Sequence, residues 1–482
     1  MTTVALLTPL LLSLCAALLA ALAHTTGLWR WVPLVSSIGI LLSALLLADT
    51  TLAGDRPTAL AGLLAADALS AFMLLVIGCV GLVAAWAGFG AGRDWTYGAL
   101  TGVFLAAMSL AVLTDNLGIL LVAVEATTVA TAFLVGHHGS RRSLEAAWKY
   151  VILGSTGIAL AFLGVVLLYT ATLAAGRPTL SWHDLVGGAV SGLDPALVRL
   201  AGGLMVLGFA TKVGLAPMHS WLPDAHSQAP APVSGLMSGV LLAVAFYAIL
   251  RVQVVVDAVV GAQFLRGLLL VGGLTSITLA ALLMIRQRDL KRMLAYSSIE
   301  HMGIVALAAA IGGPLAITAA LLHVLGHGLI KSTLFIVAGR VLIAEGTASI
   351  PGIRRLTARR PDLAVPLIVG LVALLGLPPF SLFFTEVAIG FAGFQAGLGW
   401  AVVLAMALLA VLFAAMLRLG AGMTLGPAES SPSLPVTRAD RLGTGPQLPL
   451  VLALATAIVI GFAVGPLPDL LRAAEASLAV GS

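Results

Sequence analysis

Long, uninterrupted apolar runs dominate this chain and decide the solvent in which it can fold. Runs of about 20 apolar residues, the length that crosses a bilayer as a helix, recur from residue 3 to residue 471. Only 9 % of the 482 residues are charged, whereas soluble domains carry about 25 %. Such a chain cannot coat a soluble core with polar side chains. The sequence therefore predicts one all-α polytopic membrane domain over residues 1–482.

We count fourteen candidate membrane helices along the chain. The N-terminus lacks the basic start of a signal peptide, so we expect the first span to be retained. The predicted spans are 3–22, 32–52, 67–90, 96–113, 115–136, 146–171, 199–220, 232–253, 264–285, 292–311, 314–342, 363–392, 398–420 and 448–471.

Basic residues are distributed unevenly among the connections between these spans. Of the 25 basic residues, 17 follow odd-numbered spans, 6 follow even-numbered spans, and Lys212 and Lys331 lie inside spans. The positive-inside rule then places both termini outside the cell and the odd-to-even connections in the cytoplasm. We expect a multi-pass protein of the inner (plasma) membrane, and we attribute the net charge of +5 to this topology rather than to a nucleic-acid partner.

Two predicted spans look broken by prolines. Pro217 follows Lys212 by five residues, and Pro378-Pro379 precede Glu386. A proline in a membrane helix frees backbone carbonyls, which is tolerated beside protein or a water-filled cavity. Two broken helices that lie five spans apart, each with a buried ionisable residue, predict two inverted five-helix repeats. The predicted repeats cover about 96–253 and 264–420.

Two opposite charges lie inside apolar spans, where a charge costs about 2.5–3.5 kcal/mol even on a lenient scale. Glu125 lies in the fifth span and Lys212 in the seventh. Burial favours neutral lysine, and a nearby carboxylate favours charged lysine. A change in the charge or position of Glu125 would therefore load or empty Lys212, and we predict a proton-transfer pair. A structural salt bridge is the alternative.

Three ionisable residues recur at four-residue intervals in the eleventh span: His323, His327 and Lys331. Steps of four place side chains along one stripe of a helix, about 6 Å apart in rise. Histidine suits proton transfer because its ordinary pKa is close to neutrality, so we predict a proton relay along this stripe. Helix packing is one alternative. Metal binding is another, but the sequence shows no third ligand.

Further ionisable residues are candidates for the ends of the proton route. Glu386 follows the second helix break and is a candidate exit residue, with an interfacial carboxylate as the alternative. His219 and His226 flank a Pro-rich polar segment that we expect to be broken or re-entrant. They would link the cytoplasm to the buried lysine, or only satisfy an irregular backbone. Glu300 and His301 lie inside the tenth span and are not readily dismissed as interfacial.

The chain carries no recognisable cofactor motif. Its two cysteines, Cys15 and Cys79, lie in apolar runs without a CxxC pattern or a Cys/His cluster, so iron–sulfur and zinc sites are not expected. Phosphate-binding and dinucleotide-binding motifs are also missing from the sequence. We expect no cofactor and no metal, and we attribute the driving force to an ion gradient or to partner subunits.

Three segments carry a resemblance to a known superfamily. They are PMHSWLPDAHSQAP at 217–230, DLKRMLAYSSIEHMG at 289–303 and HVLGHGLIKSTLF at 323–335. In this order they resemble the antiporter-like subunits of NADH–quinone oxidoreductases, multisubunit cation/proton antiporters and membrane-bound nickel–iron hydrogenases. The resemblance covers about 115–386 and implies the family's fold of fourteen helices.

Further segments indicate the subfamily. The runs VEATTVATAFLVG at 124–136 and LEAAWKYVILGSTGIAL at 144–160, with the YSSIEHMG form, are most similar to component F of hydrogenase-4-type complexes, which relate to formate hydrogenlyase. The resemblance implies other membrane subunits and a peripheral redox module, a nickel–iron hydrogenase, as partners. It implies protons as the transported ion, with sodium as the alternative.

The resemblance also implies roles for individual residues. The eighth span departs from the pattern of the relatives. Relatives often carry a lysine or histidine in the eighth span, but residues 234–250 contain neither, which leaves a side-chain bridge there in doubt. The implied roles are Glu125 and Lys212 as the pair, His323, His327 and Lys331 as the central relay, and Glu386 as the terminal site.

These observations predict a proton-translocating membrane subunit of a hydrogenase-type, formate hydrogenlyase-like respiratory complex. The alternatives are a subunit of a sodium/proton antiporter or of an NADH–quinone oxidoreductase complex, and a non-transporting scaffold that anchors a peripheral enzyme. A scaffold has no reason to keep Glu125, Lys212 and Lys331 buried at their energetic cost.

Overall fold

The fold is helical almost throughout. A computed structural model of the chain describes residues 2–92, 94–426 and 444–478, and in them the extended structure is limited to a hairpin of β1 (Thr58–Ala59) and β2 (Leu64–Ala65). The predicted all-α membrane class is confirmed. Arg93, Arg438 and Arg441, which contribute to the charge asymmetry, lie outside the described residues.

Twenty α-helices are described, joined by short 3-10 and π turns. In the first half they are α1 (Thr2–Leu22), α2 (Val32–Leu52), α3 (Ala68–Ala87), α4 (Trp95–Leu113), α5 (Leu117–Gly136), α6 (Arg141–Ala174), α7 (Trp182–Asp184), α8 (Pro195–Val213), α9 (Trp221–Gln228), α10 (Ala231–Leu236) and α11 (Leu242–Val260). In the second half they are α12 (Gln263–Met284), α13 (Leu290–Ile311), α14 (Gly313–Glu345), α15 (Leu356–Arg359), α16 (Pro361–Leu374), α17 (Ser381–Gln395), α18 (Gly399–Leu425), α19 (Thr444–Val459) and α20 (Leu467–Ala476).

The membrane spans lie where the sequence predicts them, but the count of fourteen is not confirmed. In the described residues, twelve helical stretches are long and apolar enough to cross a bilayer. The predicted twelfth span is instead the two shorter helices α16 and α17. The predicted fourteenth span bends by 69° between Gln447–Phe462 and Leu467–Ala476, and it would be the thirteenth if the bent pair crosses as one.

Both spans that the sequence predicts to be broken are interrupted. α8 is followed by Gly214 and α16 leads into Gly376, with φ of 78° and 62°, a conformation that glycine adopts without strain. Beyond each glycine, the amides of Leu215 and Leu377 donate to carbonyls five residues back. Both breaks are Schellman turns, so the chain interrupts these two spans with the same local structure.

The helices α5 and α13 also begin alike. Asn116 and Asp289 cap them by accepting hydrogen bonds from backbone amides of the first turn. The residues Asn116 and Asp289 also form isolated antiparallel bridges, to Ser181 and Ser349, in the segments that follow the next helix. The inverted repeats themselves stay a prediction, which these matching features support.

Three spans form the centre of the bundle: 231–260, which joins α10 and α11 through the π turn Met237–Leu241, together with α13 and α14. They are buried along their whole apolar windows, whereas only 33 % of the corresponding window is buried in α1 and in α18. The centre therefore carries polar side chains away from lipid, and the outer helices α1 and α18 present apolar ones to it.

Two basic residues that the sequence analysis assigned to connections are buried inside helices instead. Arg251 lies in α11 and forms an ion pair with Asp67 at 2.7 Å. Lys291 lies in the first turn of α13 and donates to the Ala229 carbonyl at 2.6 Å. Their assignment to connections is wrong, because Arg251 lies in the middle of α11 and Lys291 in the first turn of α13, and both long side chains reach polar partners inside the protein.

Candidate functional site

The predicted pair in the first half is linked through a threonine. Thr128, one turn after Glu125 on α5, donates its hydroxyl hydrogen to a Glu125 carboxylate oxygen at 3.0 Å. The same hydroxyl oxygen accepts a hydrogen bond from Lys212 Nζ at the end of α8. One hydroxyl can donate one hydrogen bond and accept another, so Thr128 joins the acid to the lysine.

The surroundings of Lys212 hold it against α6. Its Nζ lies 4.7 Å from the centre of the Tyr150 ring, within cation–π range. A Cβ atom at Gly154 would lie 2.6 Å from the same Nζ, so this close approach requires glycine. Ser155 donates to the second oxygen of Glu125 at 2.5 Å. The two charges of this pair therefore meet through hydroxyl groups rather than through water-exposed contacts.

The second-half lysine is held by α13. Lys331 is fully buried on α14, and its Nζ donates to the Leu294 carbonyl and to Ser297 Oγ, each at 2.5 Å. These oxygens carry no formal charge. The ammonium group is therefore bound by neutral acceptors, which stabilise it less than a carboxylate would.

The predicted stripe of His323, His327 and Lys331 lies on α14, and a histidine of the neighbouring helix stands beside it. The rings of His323 and His327 are parallel but their centres are 6.5 Å apart. His301 of α13 stands between them, with its ring centre 5.1 Å from that of His323 and 5.0 Å from that of His327. Its Nδ1 lies 3.1 Å from His323 Nε2. The predicted relay therefore crosses to the neighbouring helix and returns.

The series of histidines ends on α17, past the second helix break. His323 Nδ1 lies 2.9 Å from Thr385 Oγ1. The carboxylate of Glu386 has an oxygen within 4.8 Å of a ring nitrogen of both His301 and His323. A single water spans such a gap. The backbone opposite Glu386 is Gly376, where a Cβ would lie 2.4 Å from a carboxylate oxygen.

The two histidines of the segment between α8 and α10 differ in position. His226 of α9 is fully buried, stacks on Phe335 at 4.9 Å and is close enough to Lys331 to interact with its charge. His219 lies half-buried in the turn before α9. Among the described residues, no hydrogen bond or ring contact joins the His219 ring to the other candidate residues. The structure thus brings His226, but not His219, to the relay.

Hydroxyl groups reach the eighth span, where the sequence offers no lysine or histidine. Ser238 lies in the π turn of that span and hydrogen-bonds Ser298 of α13 at 2.8 Å. Ser298 donates to the Leu294 carbonyl, which also accepts from Lys331. π turns inside helices occur frequently at functional sites, and here the turn brings a polar group toward the central lysine.

These contacts define a class of protein. Lys212, His301, His327 and Lys331 are buried inside membrane spans, each within reach of another polar group. The partly buried Glu125 reaches Lys212 through Thr128. Buried ionisable residues of this kind are costly and mark ion pathways in membrane proteins. The fold and the site are those of an ion-translocating membrane protein.

The chain belongs to the family described as NADH:quinone oxidoreductase/Mrp antiporter, TM, which matches residues 114–413, more than half of its length. A hydrogenase-4 component F homolog from Methylacidiphilum infernorum is 40 % identical over 326 residues, 67 % of this chain and 68 % of the relative. Subunit N of an NADH-quinone oxidoreductase from Desulforudis audaxviator is 35 % identical over 278 residues, covering 57 % and 54 %. The chain is an antiporter-like membrane subunit.

A solved structure shares the fold over nearly the whole chain. It is an archaeal membrane-bound sulfane sulfur reductase, a respiratory membrane complex; the match has a TM-score of 0.88 at 26 % identity and covers 99 % of this chain and 97 % of that one. The superfamily resemblance found in the sequence is confirmed by these comparisons.

Sequence reasoning missed the residues that connect the predicted ones. Thr128 is one of three neighbouring threonines in an apolar run, and nothing in the pattern distinguishes it. His301 and Ser298 lie in the SSIEHMG segment, which was singled out but not assigned a role. The one sequence signal that could have pointed to Ser298 and His301 is helical spacing, because positions 294, 298 and 301 fall on one face of a helix.

Proposed function

We propose that this chain is the proton-translocating subunit of a hydrogenase-type respiratory complex related to formate hydrogenlyase. The observation that carries the proposal is the buried series Lys331, His327, His301, His323 and Glu386, in which each ionisable group lies beside the next. The 40 % identity to the hydrogenase-4 component F homolog supports the hydrogenase-type assignment.

Glu125 and Lys212 are proposed to act as the loading pair. The Thr128 hydroxyl donates to Glu125 and accepts from Lys212, so a charge change on the carboxylate is felt by the lysine through one shared group. Removing the negative charge disfavours charged lysine in a desolvated site. The ammonium then gives up its proton, which is the step that a pump requires.

Protons in the second half are proposed to pass along rings and hydroxyl groups. His323 Nδ1 faces Thr385 Oγ1, whose own hydrogen is donated to the Leu382 carbonyl at 2.9 Å. The hydrogen between ring and threonine therefore belongs to His323 Nδ1, and His323 Nε2 accepts from His301 Nδ1. A proton that arrives at His301 moves to His323 Nε2, and His323 Nδ1 releases its own proton to Thr385 Oγ1. The Thr385 hydroxyl passes on its hydrogen in turn, next to Glu386 on α17.

The proposal is tested with the tagged full-length chain expressed in its native membrane. Glu125→Gln keeps the size of the side chain and its hydrogen bonding but cannot carry a charge, so we expect severe loss of proton uptake into vesicles with unchanged complex yield. The matched control is Glu145→Gln, which removes an exposed carboxylate that pairs with Lys149. Normal proton uptake by Glu125→Gln, or equal loss in both variants, would contradict the proposal.

A second candidate function is a subunit of an NADH–quinone oxidoreductase or a sodium/proton antiporter. It is favoured by the 35 % identity to subunit N of an NADH-quinone oxidoreductase and by the family description, which includes the Mrp antiporter. Subunits that copurify in mild detergent discriminate these candidates. Hydrogenase subunits support the first proposal, and dehydrogenase or antiporter subunits support the second.

A further inference from the structure

Three side chains from three helices are arranged as ligands for a metal ion. One ring nitrogen of His301, one of His323 and a carboxylate oxygen of Glu386 all lie within 4.8 Å of one another. We propose that they form a binding site for a divalent transition-metal ion of the zinc class. Two imidazoles and one carboxylate are a ligand set that zinc uses when it keeps a fourth position open for water.

The spacing of the two nitrogens fits such an ion. A zinc–nitrogen bond is about 2.0–2.1 Å, and at tetrahedral angles two nitrogens on one zinc ion are about 3.3 Å apart. His301 Nδ1 and His323 Nε2 are 3.1 Å apart. The nitrogen–nitrogen distance therefore changes by only a few tenths of an ångström when a metal replaces the shared hydrogen. The two rings turn so that both lone pairs point at the ion, and Glu386 supplies the third ligand.

The surroundings orient one ligand as metal sites do. A metal-bound histidine commonly donates its other ring N–H to a fixed acceptor. His323 Nδ1 faces Thr385 Oγ1 at 2.9 Å, and that hydroxyl is itself fixed by its bond to the Leu382 carbonyl. The Nε2 lone pair of His323 is therefore already directed away from Thr385 and toward His301.

The charges near the site are suited to a dication. Glu300 of α13 is 6 % exposed and directly precedes the proposed ligand His301. A divalent ion beside two carboxylates leaves little net charge in the protein interior, the condition under which burial is tolerated. The ammonium group of Lys331, which interacts with Glu300, is the positive charge that repels a cation at this site.

Metal binding removes the hydrogen bond between the two rings. When His301 coordinates through Nδ1, its ring hydrogen moves to Nε2, which has no hydrogen-bond partner among the described residues. The rings neither gain nor lose a proton, and Glu386 binds as the carboxylate. The ion then occupies the gap that a transferred proton must cross. This blocking effect rests on the proposed function, whereas binding itself does not.

The binding test uses the full-length chain in mild detergent with Co²⁺ as the spectroscopic probe. We expect one Co²⁺ per chain, with the intense visible absorption of tetrahedral cobalt, displaced by Zn²⁺. His301→Ala and Glu386→Gln should each weaken binding at least about tenfold, and Thr385→Val about 10- to 100-fold through loss of ligand orientation. His226→Ala, which removes another buried histidine, is the matched control and should bind as the parent does.

Removing the opposing charge gives an independent check. Lys331→Met keeps the length of the side chain without its charge, so Co²⁺ should bind several-fold more tightly. Pale, octahedral cobalt spectra, or equal affinity in the parent and the ligand variants, would overturn the site. Zn²⁺ that binds at the three residues but leaves proton uptake unchanged supports the site and contradicts the proposed proton route, so the two failures are distinguishable.

Discussion

Replacing Thr128 with valine tests the link between the acid and the lysine of the first half. Valine has nearly the shape of threonine but lacks the hydroxyl group. The substitution removes both the bond to Glu125 at 3.0 Å and the bond from Lys212. The bond between Glu125 and Ser155 remains, so the carboxylate keeps one partner while the lysine loses its hydrogen-bonded connection to it.

The expected size of the effect follows from these two bonds. A hydrogen bond to a charged group contributes about 1.5–3 kcal/mol. If one such bond is lost from the proton-transfer step, the rate falls roughly 10- to 100-fold, since each 1.36 kcal/mol is tenfold. The folding cost is smaller than that of an unpaired buried charge, because Tyr150 still faces the ammonium at 4.7 Å. Complex yield should therefore change little.

The assay is proton uptake by membrane vesicles that contain the assembled complex, normalised to the amount of complex. Thr127→Val is the matched control. Thr127 is the adjacent residue, is equally buried, and bonds only its own helix, at the Val124 carbonyl. Thr128→Ser, which keeps the hydroxyl, should restore most of the activity.

Three results would refute this reasoning. Thr128→Val could translocate protons as the parent does while Lys212→Ala does not, which would show that the shared hydroxyl is dispensable. Thr127→Val could lose as much activity as Thr128→Val, which would make the effect one of helix packing. Thr128→Ser could fail to restore activity, which would separate the effect from the hydroxyl group.

Three further predictions follow from the site and from the charge pattern. Lys212→Arg should assemble but fail to translocate protons, because guanidinium keeps its proton at any usable pH; normal uptake would leave only a structural ion pair. Lys331→Ala should abolish proton uptake in vesicles, whereas His327→Ala should reduce it by a smaller factor because water can replace one ring; parent-like uptake by both would reduce the stripe to packing. Reporter fusions in the 353–360 connection and at the C-terminus should report opposite sides of the membrane, and the same side for both would contradict the predicted topology.

The sequence predicted the site only in part, because some of its residues lie on one helix and others on neighbouring helices. His323, His327 and Lys331 were found because one helix period connects them in sequence. His301 sits between them in space but 22 residues earlier in the chain than His323, and only the packing of α13 against α14 reveals that position. Thr128 was missed for another reason: threonine is common in membrane helices, and its role here depends on two partners from different turns and helices.

The fold was predicted more fully than the site, because apolar length is a strong signal and the prolines mark both breaks. One of its errors lies at a helix end. Lys291 was assigned to a connection, yet it is buried in the first turn of α13 and bonded to carbonyls of the α9–α10 segment. A charged residue at the edge of an apolar run has the same sequence signal whether it faces solvent or folds back into the protein.

The three wholly covered spans at the centre of the bundle have a consequence for how lipids act on this protein. A bilayer that is thicker or thinner than the hydrophobic length of a helix makes that helix tilt, at a cost of fractions of a kcal/mol per ångström of mismatch. Only helices that touch lipid feel this force, and here those are outer ones such as α1 and α18, while α13 and α14 are surrounded by protein. Changes in acyl-chain length should therefore tilt the periphery before they alter the 3.1 Å spacing of His301 and His323.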